Sequence, residues 1–360
     1  MSNQLLRMID ANLNRSSEGL RVLEDVVRFL LNDAELSQRL RTLRHDLAQE
    51  TKSLSVGLLS RRDSEHDVGA RMGASYEPET KQSLQDLSGL VTANIKRVEE
   101  SLRVLEELAK LPEISSMLNS ARFEQMRFAI YTLERDLISR ILRRDKVERM
   151  LGLYVILDRQ FLENRDELDI AGQIIEGGAS VIQLRDKQSK KGELLLLAQK
   201  LKELCSQADV LFVINDSLDL AMAVDADGLH VGQEALPLPV IRRELPIDKI
   251  VGCSVKTISQ ATKAQAEGAD YIAVGSIFPT ATKKGATVVG VDMLKELKRK
   301  VSTPLVAIGG IDQNNIGEVV SAGADAVAVI SAVLSEKDVN GAVQKLIAKM
   351  DLAREECQNE

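Results

Sequence analysis

From about residue 150 onward, the sequence repeats one unit eight times: a short apolar run followed by an amphipathic helical stretch. The runs are almost continuously apolar, as parallel strands covered by helices are, and Gly178, Gly268 and Gly323 each end a helical stretch just before a strand. Eight serial units predict a (β/α)8 TIM barrel; a doubly wound sheet is the competitor, but no Gly-x-Gly-x-x-Gly follows the first strand. The predicted strands are Tyr154–Asp158, Val181–Arg185, Leu211–Asn215, Gly228–Val231, Ile250–Ser254, Tyr271–Ile277, Leu305–Gly309 and Ala326–Ile330.

The first 150 residues differ in composition and predict an all-α domain. They hold five of the 22 glycines and no net charge, whereas the remainder carries the whole net charge of −7. Laying Asp10–Phe29 over Thr92–Leu111 aligns nine identical residues in twenty, which indicates a duplicated helix pair packed as a helical bundle. The predicted domains are 1–145 and 150–352, with the break near the charged stretch Arg143–Arg149. One apolar stripe of the first copy comprises Leu13, Leu20, Leu23 and Val27.

Polar residues recur on the other side of the duplicated helix. Asn12, Arg15, Gly19 and Val22 are spaced to share one helical face, and the second copy repeats the pattern. Such a face either points into a groove between the copies, where arginine would bind phosphate, or forms interhelical salt bridges and a solvated surface. The candidate ligands are Asn12, Arg15, Glu18, Asn94, Arg97 and Glu100, together with Arg62 and Asp67 of the polar connector 52–82.

Composition excludes several partners. The chain is net acidic without a long basic run, so we expect no nucleic-acid partner. No apolar run approaches the roughly 20 residues of a membrane span, and the N-terminus lacks a secretory pattern, which predicts a cytoplasmic protein with no membrane partner. The widely spaced Cys205, Cys253 and Cys357 fit neither a disulfide framework nor a zinc motif and are predicted to be reduced thiols. A homo-oligomer is compatible with these features, which leave the oligomeric state open.

Polar clusters fall at the C-terminal ends of the predicted strands, where barrel enzymes place their chemistry. Gln183, Arg185 and Lys187 alternate along an extended segment and suit a diphosphate. Asn215-Asp216 follows strand three and is either a surface turn or a Mg²⁺ site shared with phosphate oxygens. Ser254, at the end of strand five, either binds phosphate or caps the next helix.

The remaining strand ends carry hydroxyls, an ammonium group and glycines. Thr280, Thr282 and Lys283 follow strand six, and Gly309-Gly310 and Ser331 follow strands seven and eight, a combination typical of barrel phosphate sites. His230 lies in an apolar run and is predicted to be structural. Because no Cys/His or Ser/His/Asp set is evident, a covalent intermediate is not expected. Loss of diphosphate to a second phosphorylated molecule would use the groups present.

The motifs Gln-Leu-Arg-Asp-Lys, Asn-Asp, Gly-Leu-His-Val-Gly-Gln-Glu, Pro-Thr-Ala-Thr-Lys and Ile-Gly-Gly-Ile, in this order over residues 150–350, closely resemble the thiamine-phosphate synthase (thiamine-phosphate pyrophosphorylase) family. The resemblance implies condensation of 4-amino-2-methyl-5-hydroxymethylpyrimidine diphosphate with (carboxy)thiazole phosphate to thiamine phosphate and diphosphate. It implies Mg²⁺ on Asp216. It assigns the pyrimidine diphosphate to Gln183, Arg185, Lys187, Asn215, Ser254 and Lys283, and the thiazole phosphate to Thr280, Thr282, Gly310, Ile330 and Ser331.

The run Asp10–Phe29 resembles a helical domain found fused in front of such synthases. This implies a hydroxymethylpyrimidine-phosphate kinase with ATP as co-substrate, although the sequence has neither a Walker-type loop nor a protein-kinase signature. The leading hypothesis is therefore a bifunctional enzyme. The alternative for the front domain is a non-catalytic dimerisation or regulatory module.

One position departs from the family pattern. Where the family continues Gly-Gln-Glu-Asp, this chain has Gly232-Gln-Glu-Ala235, so the second metal ligand that the resemblance implies is missing. Either Glu234 or water replaces it, or the barrel is degraded and acts as a thiazole-phosphate binder or tautomerase. The synthase is favoured by the retained residues that only a diphosphate substrate would need, namely Gln183, Arg185, Lys187, Asp216 and Lys283.

Overall fold

The computed structural model describes residues 3–61, 87–280 and 287–358. The chain divides into two compact units, Met1–Leu142 and Arg143–Glu360, each with its own hydrophobic core. Within the described ranges, no helix combines the length and the apolar character needed to cross a membrane.

The described part of the first unit is built from helices, which confirms the predicted all-α front region. Asp33 caps the second helix by accepting hydrogen bonds from the amides of Glu35 and Leu36. The two aligned sequence copies lie in the first and fourth helices. The helices are α1 (Asn3–Asp25), continued by a π-helical segment (Val26–Leu30), α2 (Ala34–Thr51), α3 (Ser55–Leu59), α4 (Leu87–Leu108) and α5 (Ser120–Arg149).

Helices α1 and α4 approach closely at Gly19. A Cβ atom at this position would lie 2.6 Å from Cγ2 of Val98 and 3.2 Å from the carbonyl oxygen of Asn94. Glycine therefore permits a helix crossing that any side chain would push apart. The predicted apolar stripe is buried in the core, at Leu13, Leu20, Leu23 and Val27.

The second unit is a closed barrel of eight parallel strands in sequence order, with β8 paired to β1, which confirms the predicted TIM barrel. Each strand is followed by helix-containing chain that returns to the start of the next strand, as parallel pairing requires. The strands are β1 (Leu153–Asp158), β2 (Val181–Arg185), β3 (Leu211–Asn215), β4 (Gly228–Val231), β5 (Ile250–Val255), β6 (Tyr271–Gly275), β7 (Leu305–Ile308) and β8 (Ala326–Val329).

Five strand ends differ from the prediction. Strand β6 stops at Gly275 rather than Ile277, β7 and β8 stop one residue early, and β1 and β5 are one residue longer. The apolar sequence continues past the end of β6 because the residues after Gly275 remain buried beside β7. The amides of Ile277 and Phe278 still donate to the carbonyls of Ile308 and Gly309, both at 2.9 Å, so the buried segment runs on beside β7 after regular strand pairing ends.

Alternation along the strands separates two layers of core. In β1, Tyr154 and Ile156 face the barrel interior, whereas Val155 and Leu157 pack under the helices. The same alternation brings inward-facing residues to the C-terminal strand ends, where they form the mouth of the barrel. The helices of this unit are α6 (Glu167–Glu176), α7 (Lys191–Gln207), α8 (Leu218–Ala223), α9 (Leu238–Glu244), α10 (Ile258–Ala266), α11 (Gly290–Lys300), α12 (Ile316–Ser321), α13 (Ser331–Leu334) and α14 (Val339–Gln358).

The charged stretch Arg143–Arg149 is the last part of α5 and belongs to the second unit. The buried Arg143 donates from Nε to Oδ1 of Asp270 at 2.8 Å and from Nη1 to the carbonyl of Ile247 at 2.8 Å. Lys146 lies 3.0 Å from a carboxylate oxygen of Asp248. These bonds hold the stretch against the segments that precede β5 and β6.

Candidate active site at the barrel mouth

Strands β1 and β2 end in an ion pair. Arg185 donates from Nη1 to Oδ2 of Asp158, a residue that is only 2% exposed. This contact fixes the direction of a half-buried guanidinium, so that its remaining donors can serve a ligand. Asp158 was not among the predicted site residues. The sequence did contain a signal for it. Asp158 ends one apolar strand and Arg185 ends the next, so the two side chains are expected to pair at the mouth of the barrel.

Lys187 does not share the extended geometry predicted for it. Strand β2 ends at Arg185, and Lys187 lies exposed in the bend that follows. The bend is stabilised by Asp186, whose carboxylate accepts from the amides of Gln188 and Ser189 and pairs with Arg159. Burial raises the pKa of Asp186, but these hydrogen bonds outweigh it and hold the pKa at about 2. Alternation therefore applies only to Gln183 and Arg185.

Strands β2 and β3 contribute three polar side chains in a line. The buried Gln183 donates from Nε2 to Oδ1 of Asn215 at 2.9 Å, and Asn215 donates from Nδ2 to Oδ2 of Asp216 at 2.7 Å. The structure thus brings together Gln183 and Asn215, which the family resemblance assigned to the pyrimidine diphosphate, and Asp216, which it assigned to Mg²⁺. Asp216 lies just past β3 and is exposed, in the position of a ligand-binding group rather than of a core residue.

Asp216 has the geometry of a carboxylate prepared for a cation. Its backbone is left-handed, with φ of +59°, and its Oδ1 accepts from the amide of Gly232 at 3.0 Å. One lone pair on each oxygen remains for a hard cation such as Mg²⁺. Ala235, in the turn after β4, supplies no second carboxylate, and Glu234 is exposed. In the described ranges no three Asp, Glu, His or Cys side chains gather as a metal site. Asp216 alone would hold Mg²⁺ only together with further oxygen ligands, such as those of a bound phosphate or water.

Ser254 is part of strand β5 and does not cap the next helix. The cap of α10 is Thr257, whose side chain accepts from the amide of Gln260. The hydroxyl of Ser254 lies 2.8 Å from Nε2 of His230 instead. The capping alternative was therefore wrong.

His230 is a buried, hydrogen-bonded core residue, as its apolar surroundings in the sequence predict. Its Nδ1 lies 3.1 Å from the hydroxyl of Tyr271, which lies 3.0 Å from that of Tyr154. Burial lowers the pKa of His230 to about 4, against the opposing charge of Asp216. Burial likewise raises the pKa of both tyrosines above the usual value, so the cluster is neutral at physiological pH.

The ends of β7 and β8 present backbone rather than side chains. Gly309 and Gly310 have φ of +100° and +68°, and a Cβ atom on Gly310 would lie 2.5 Å from the carbonyl oxygen of Pro279. Ile330 is the cap residue of α13, which begins at Ser331. Backbone amides at such positions suit a phosphate group. Thr280 is half-buried after β6, whereas Thr282 and Lys283 lie outside the described residues.

In the first unit the structure separates the predicted ligands into two groups. Asn12 and Asn94 are buried, and each amide donates to a carbonyl one turn earlier in its own helix. The charged members are exposed, so the first copy lacks the expected shared polar face: Asn12 lies on the buried side of α1 and Arg15 on the solvent side. In the second copy Arg97 donates from Nη1 to Oδ1 of Asn94 at 3.4 Å, so these two residues are in contact. The exposed residues are Arg15, Glu18, Arg97 and Glu100, and Arg62 and Asp67 lie outside the described residues.

The buried carboxylates of the first unit are other members of the repeat. Glu24 and Glu106 occupy equivalent positions in the two copies and are 6% and 3% exposed. Glu24 lies 3.0 Å from Nε of Arg44, and Glu106 lies 3.0 Å from Nε of Arg127. Both appeared among the identical residues of the alignment, and this identity was the signal that could have identified them.

The closed barrel, with arginine, amide and carboxylate groups converging on its mouth, places the second unit among TIM-barrel enzymes. Residues 153–333 match the family model described as thiamine monophosphate synthase, and residues 7–136 match the ThiD2 family. The chain belongs to the thiamine monophosphate synthase family, whose place is in thiamine biosynthesis, and carries a ThiD2-family unit in front of the barrel.

Relatives share this arrangement over nearly their whole length. The chain is 38% identical to a thiamine-phosphate synthase of Synechocystis sp. over 96% of both chains, and 36% identical to one of Nostoc sp. over 97% and 95%. Among solved structures, the thiamine phosphate pyrophosphorylase from Pyrococcus furiosus is 37% identical with a TM-score of 0.54. That match covers 57% of this chain and 98% of the other.

Proposed function

We propose that residues 150–352 condense 4-amino-2-methyl-5-hydroxymethylpyrimidine diphosphate with thiazole phosphate, giving thiamine phosphate and diphosphate. The observation that supports it most is the convergence of Arg185, Gln183, Asn215 and Asp216 at the ends of β2 and β3. These groups offer a cation, amides and a carboxylate on one side of the mouth. Family membership supplies the identity of the substrates.

The pyrimidine diphosphate is assigned to the β2–β3 side of the mouth. Arg185, held by Asp158, and Lys187 neutralise the diphosphate as it leaves, and the amides of Gln183 and Asn215 orient the substrate. Mg²⁺ on Asp216 supplies further charge neutralisation for the leaving group when it is bound. Ser254, on β5, is assigned to the same substrate. Lys283 is assigned to it on the family pattern alone.

The thiazole phosphate is assigned to the β6–β8 side. The amides of Gly310 and Ser331 and the backbone at Ile330 receive its phosphate, with the hydroxyls of Thr280 and Thr282. Departure of diphosphate breaks the C–O bond of the pyrimidinylmethyl group, and the lone pair of the thiazole nitrogen forms the new C–N bond. The mouth groups act by holding the two reactants in line and by stabilising negative charge.

For the barrel, the test is substitution of Asp216 with a matched control three residues away. Asp216→Asn keeps the size of the side chain and removes its charge, and we expect thiamine phosphate formation from the diphosphate substrate to fall at least about a hundredfold. Asp219→Asn, which alters a carboxylate on the exposed surface of α8 paired with Lys191, is expected to leave the rate unchanged. Equal rates for both variants would refute the assignment.

We also propose that residues 1–145 phosphorylate the pyrimidine monophosphate with ATP. The match of residues 7–136 to the ThiD2 family supports this. The fusion is consistent with it, because the pyrimidine diphosphate that this unit would make is the proposed substrate of the barrel. The test is a pair of reactions on the intact chain with Mg²⁺ and thiazole phosphate. One receives the monophosphate and ATP, and the other receives the diphosphate. Thiamine phosphate in both supports two activities, and product from the diphosphate alone would make the front unit a non-catalytic module.

A further inference from the structure

A continuous line of hydrogen-bonding side chains crosses the inside of the barrel. It starts at Ser254 on β5, passes through three residues deep in the interior, and ends at the mouth on Asp216. The deep residues are His230, Tyr271 and Tyr154, which are 7%, 1% and 2% exposed. We call this line, completed by Gln183 and Asn215, the interior network. Its deep part lies below the groups assigned to the substrates, so substrate binding does not explain it.

The carboxylate of Asp216 sets the direction of the first bonds. A carboxylate only accepts, so the atom of Asn215 at 2.7 Å from it must be the amide nitrogen. The other end of the same amide is then an acceptor, which receives Nε2 of Gln183 at 2.9 Å. The oxygen of Gln183 in turn accepts from the hydroxyl of Tyr154 at 2.7 Å. Each amide therefore has one allowed orientation.

The same logic continues through the tyrosines to the histidine. The proton of Tyr154 is committed to Gln183, so across the 3.0 Å contact Tyr271 donates and Tyr154 accepts. The proton of Tyr271 is thereby committed, and its oxygen accepts from Nδ1 of His230 at 3.1 Å. Since the neutral imidazole carries one proton, Nε2 is an acceptor. The hydroxyl of Ser254, 2.8 Å away, then donates to Nε2.

A glycine makes the central contact feasible. The strand register places His230, Gly252 and Tyr271 side by side on β4, β5 and β6. A Cβ atom on Gly252 would lie 2.0 Å from the tyrosine ring, so its absence leaves the space in which the two rings stack, with centroids 5.6 Å apart. The sequence thus omits one interior side chain on β5, where the network needs side chains of β4 and β6 to meet across that strand.

We propose that Tyr154, Tyr271 and His230 are positioning residues that hold Ser254 as a hydrogen-bond acceptor toward the bound substrate. With its only proton given to His230, the hydroxyl of Ser254 has lone pairs left for an N–H group of a ligand and no donor for a phosphate oxygen. The inference rests on the proposed function only in that a substrate faces Ser254. The sequence suggested phosphate as the ligand of this hydroxyl, and the network instead favours the nitrogen-bearing ring of the substrate.

The decisive measurement is the tautomer of His230, which does not depend on activity. The sequence has three histidines, and the double variant His45→Gln, His66→Gln leaves His230 alone. Nitrogen-15 and proton NMR of this intact chain at neutral pH is expected to show a protonated Nδ1 and an unprotonated Nε2. A protonated Nε2, or a doubly protonated ring, would overturn the proposal. An inactive chain with the expected tautomer would overturn the proposed function and leave the network in place.

Two tyrosine variants separate positioning from simple packing. Tyr271→Phe removes the acceptor for Nδ1, so we expect a mixture of both tautomers and roughly a tenfold loss of kcat/KM for the diphosphate substrate. Tyr154→Phe removes the acceptor for the proton of Tyr271, which is then free to donate to Nδ1 of His230, so we expect the second tautomer to appear in this variant too. Tyr131→Phe, at an exposed tyrosine of the first unit, is the control. An unchanged single tautomer in a folded Tyr271→Phe variant contradicts the proposal. If that variant fails to fold, the tautomer of His230 in the chain that retains Tyr271 decides the question.

Discussion

At the scale of single residues, the barrel mouth combines an arginine that has a buried carboxylate partner with an exposed carboxylate that has no second carboxylate at position 235. Arg185 has its partner in Asp158, and Asp216 has donors on both oxygens. Ala235 stands where the family pattern has a second carboxylate. In the proposed function, Mg²⁺ held by Asp216 would therefore take its remaining ligands from the substrate's phosphate oxygens and from water.

Restoring the carboxylate at position 235 tests this dependence. We expect Ala235→Asp to lower the Mg²⁺ concentration needed for half-maximal activity about tenfold, because a second charged ligand adds roughly 1.4 kcal/mol to cation binding. The measurement is a Mg²⁺ titration of the initial rate at saturating substrates. Ala235→Asn, which has the same size without the charge, is the control, and an equal shift in both variants would show that charge is not the cause.

Asp158 provides a second test at residue scale. Removing its charge frees the guanidinium of Arg185 from its fixed direction, so Asp158→Asn is expected to raise KM for the pyrimidine diphosphate about tenfold with a smaller change in kcat. Asp209→Asn, at an exposed carboxylate paired with Arg149, serves as the control. An unaltered KM would mean that Arg185 does not bind the diphosphate in this direction.

At the scale of elements, the helices of the first unit are joined by a buried carboxylate. Glu106 on α4 accepts from Arg127 on α5 and from Lys110, with Arg103 alongside. Burial raises the pKa of Glu106, but the hydrogen bonds from Lys110 and Arg127 outweigh it and leave the pKa below the usual 4.5. The stabilisation is therefore fully present above pH 4.5 and is lost as the pH falls through the lower value of the folded state.

Substitution of this carboxylate should destabilise the bundle in a pH-dependent way. We expect Glu106→Gln to lower the free energy of unfolding by about 3 kcal/mol at pH 7, since it leaves the guanidinium of Arg127 without its charged partner. The difference should shrink as the pH falls below 4.5 and through the lower pKa of the folded state. Denaturant unfolding at several pH values measures it. Glu107→Gln, next in sequence and half exposed, should cost under about 1 kcal/mol, and equal costs for both would contradict the account.

The elements themselves were largely predictable, and their contacts were less so. Apolar runs located all eight strands, because parallel strands covered on both faces need almost no polar residues. In the bundle, spacing predicted helices but assigned Glu18 and Glu100 to the functional face in place of Glu24 and Glu106. Which face is buried depends on Arg44 and Arg127 on other helices, and local spacing carries no information about them.

The candidate site was predictable to a similar degree. The C-terminal ends of consecutive strands in a barrel lie side by side, whatever the length of the chain that connects them. Gln183 and Asn215 could therefore be placed together from the order of the strands in the sequence. The deep tyrosines could not. Tyr154 and Tyr271 are 117 positions apart in apolar runs, and their hydroxyls meet only because the barrel closes. Nothing in the sequence around Gly252 indicates that the ring of Tyr271 occupies the space of its missing side chain.

At the scale of the whole molecule, two units with different architectures share one chain and match two families. Relatives align over nearly the full length, so the combination is common to those proteins. The two proposed reactions are consecutive, since the product of the first is the substrate of the second. The proposed function therefore depends most on whether the barrel transfers the pyrimidinylmethyl group to the thiazole.

Phosphorus NMR of the intact chain with Mg²⁺, the pyrimidine diphosphate and thiazole phosphate measures this transfer directly. We predict that thiamine phosphate and inorganic diphosphate appear in equal amounts, at the rate at which both substrates disappear, and that neither forms without the thiazole. Release of diphosphate without thiazole phosphate, or no reaction with both substrates and Mg²⁺ at saturating levels, would contradict the claim that this barrel is a synthase.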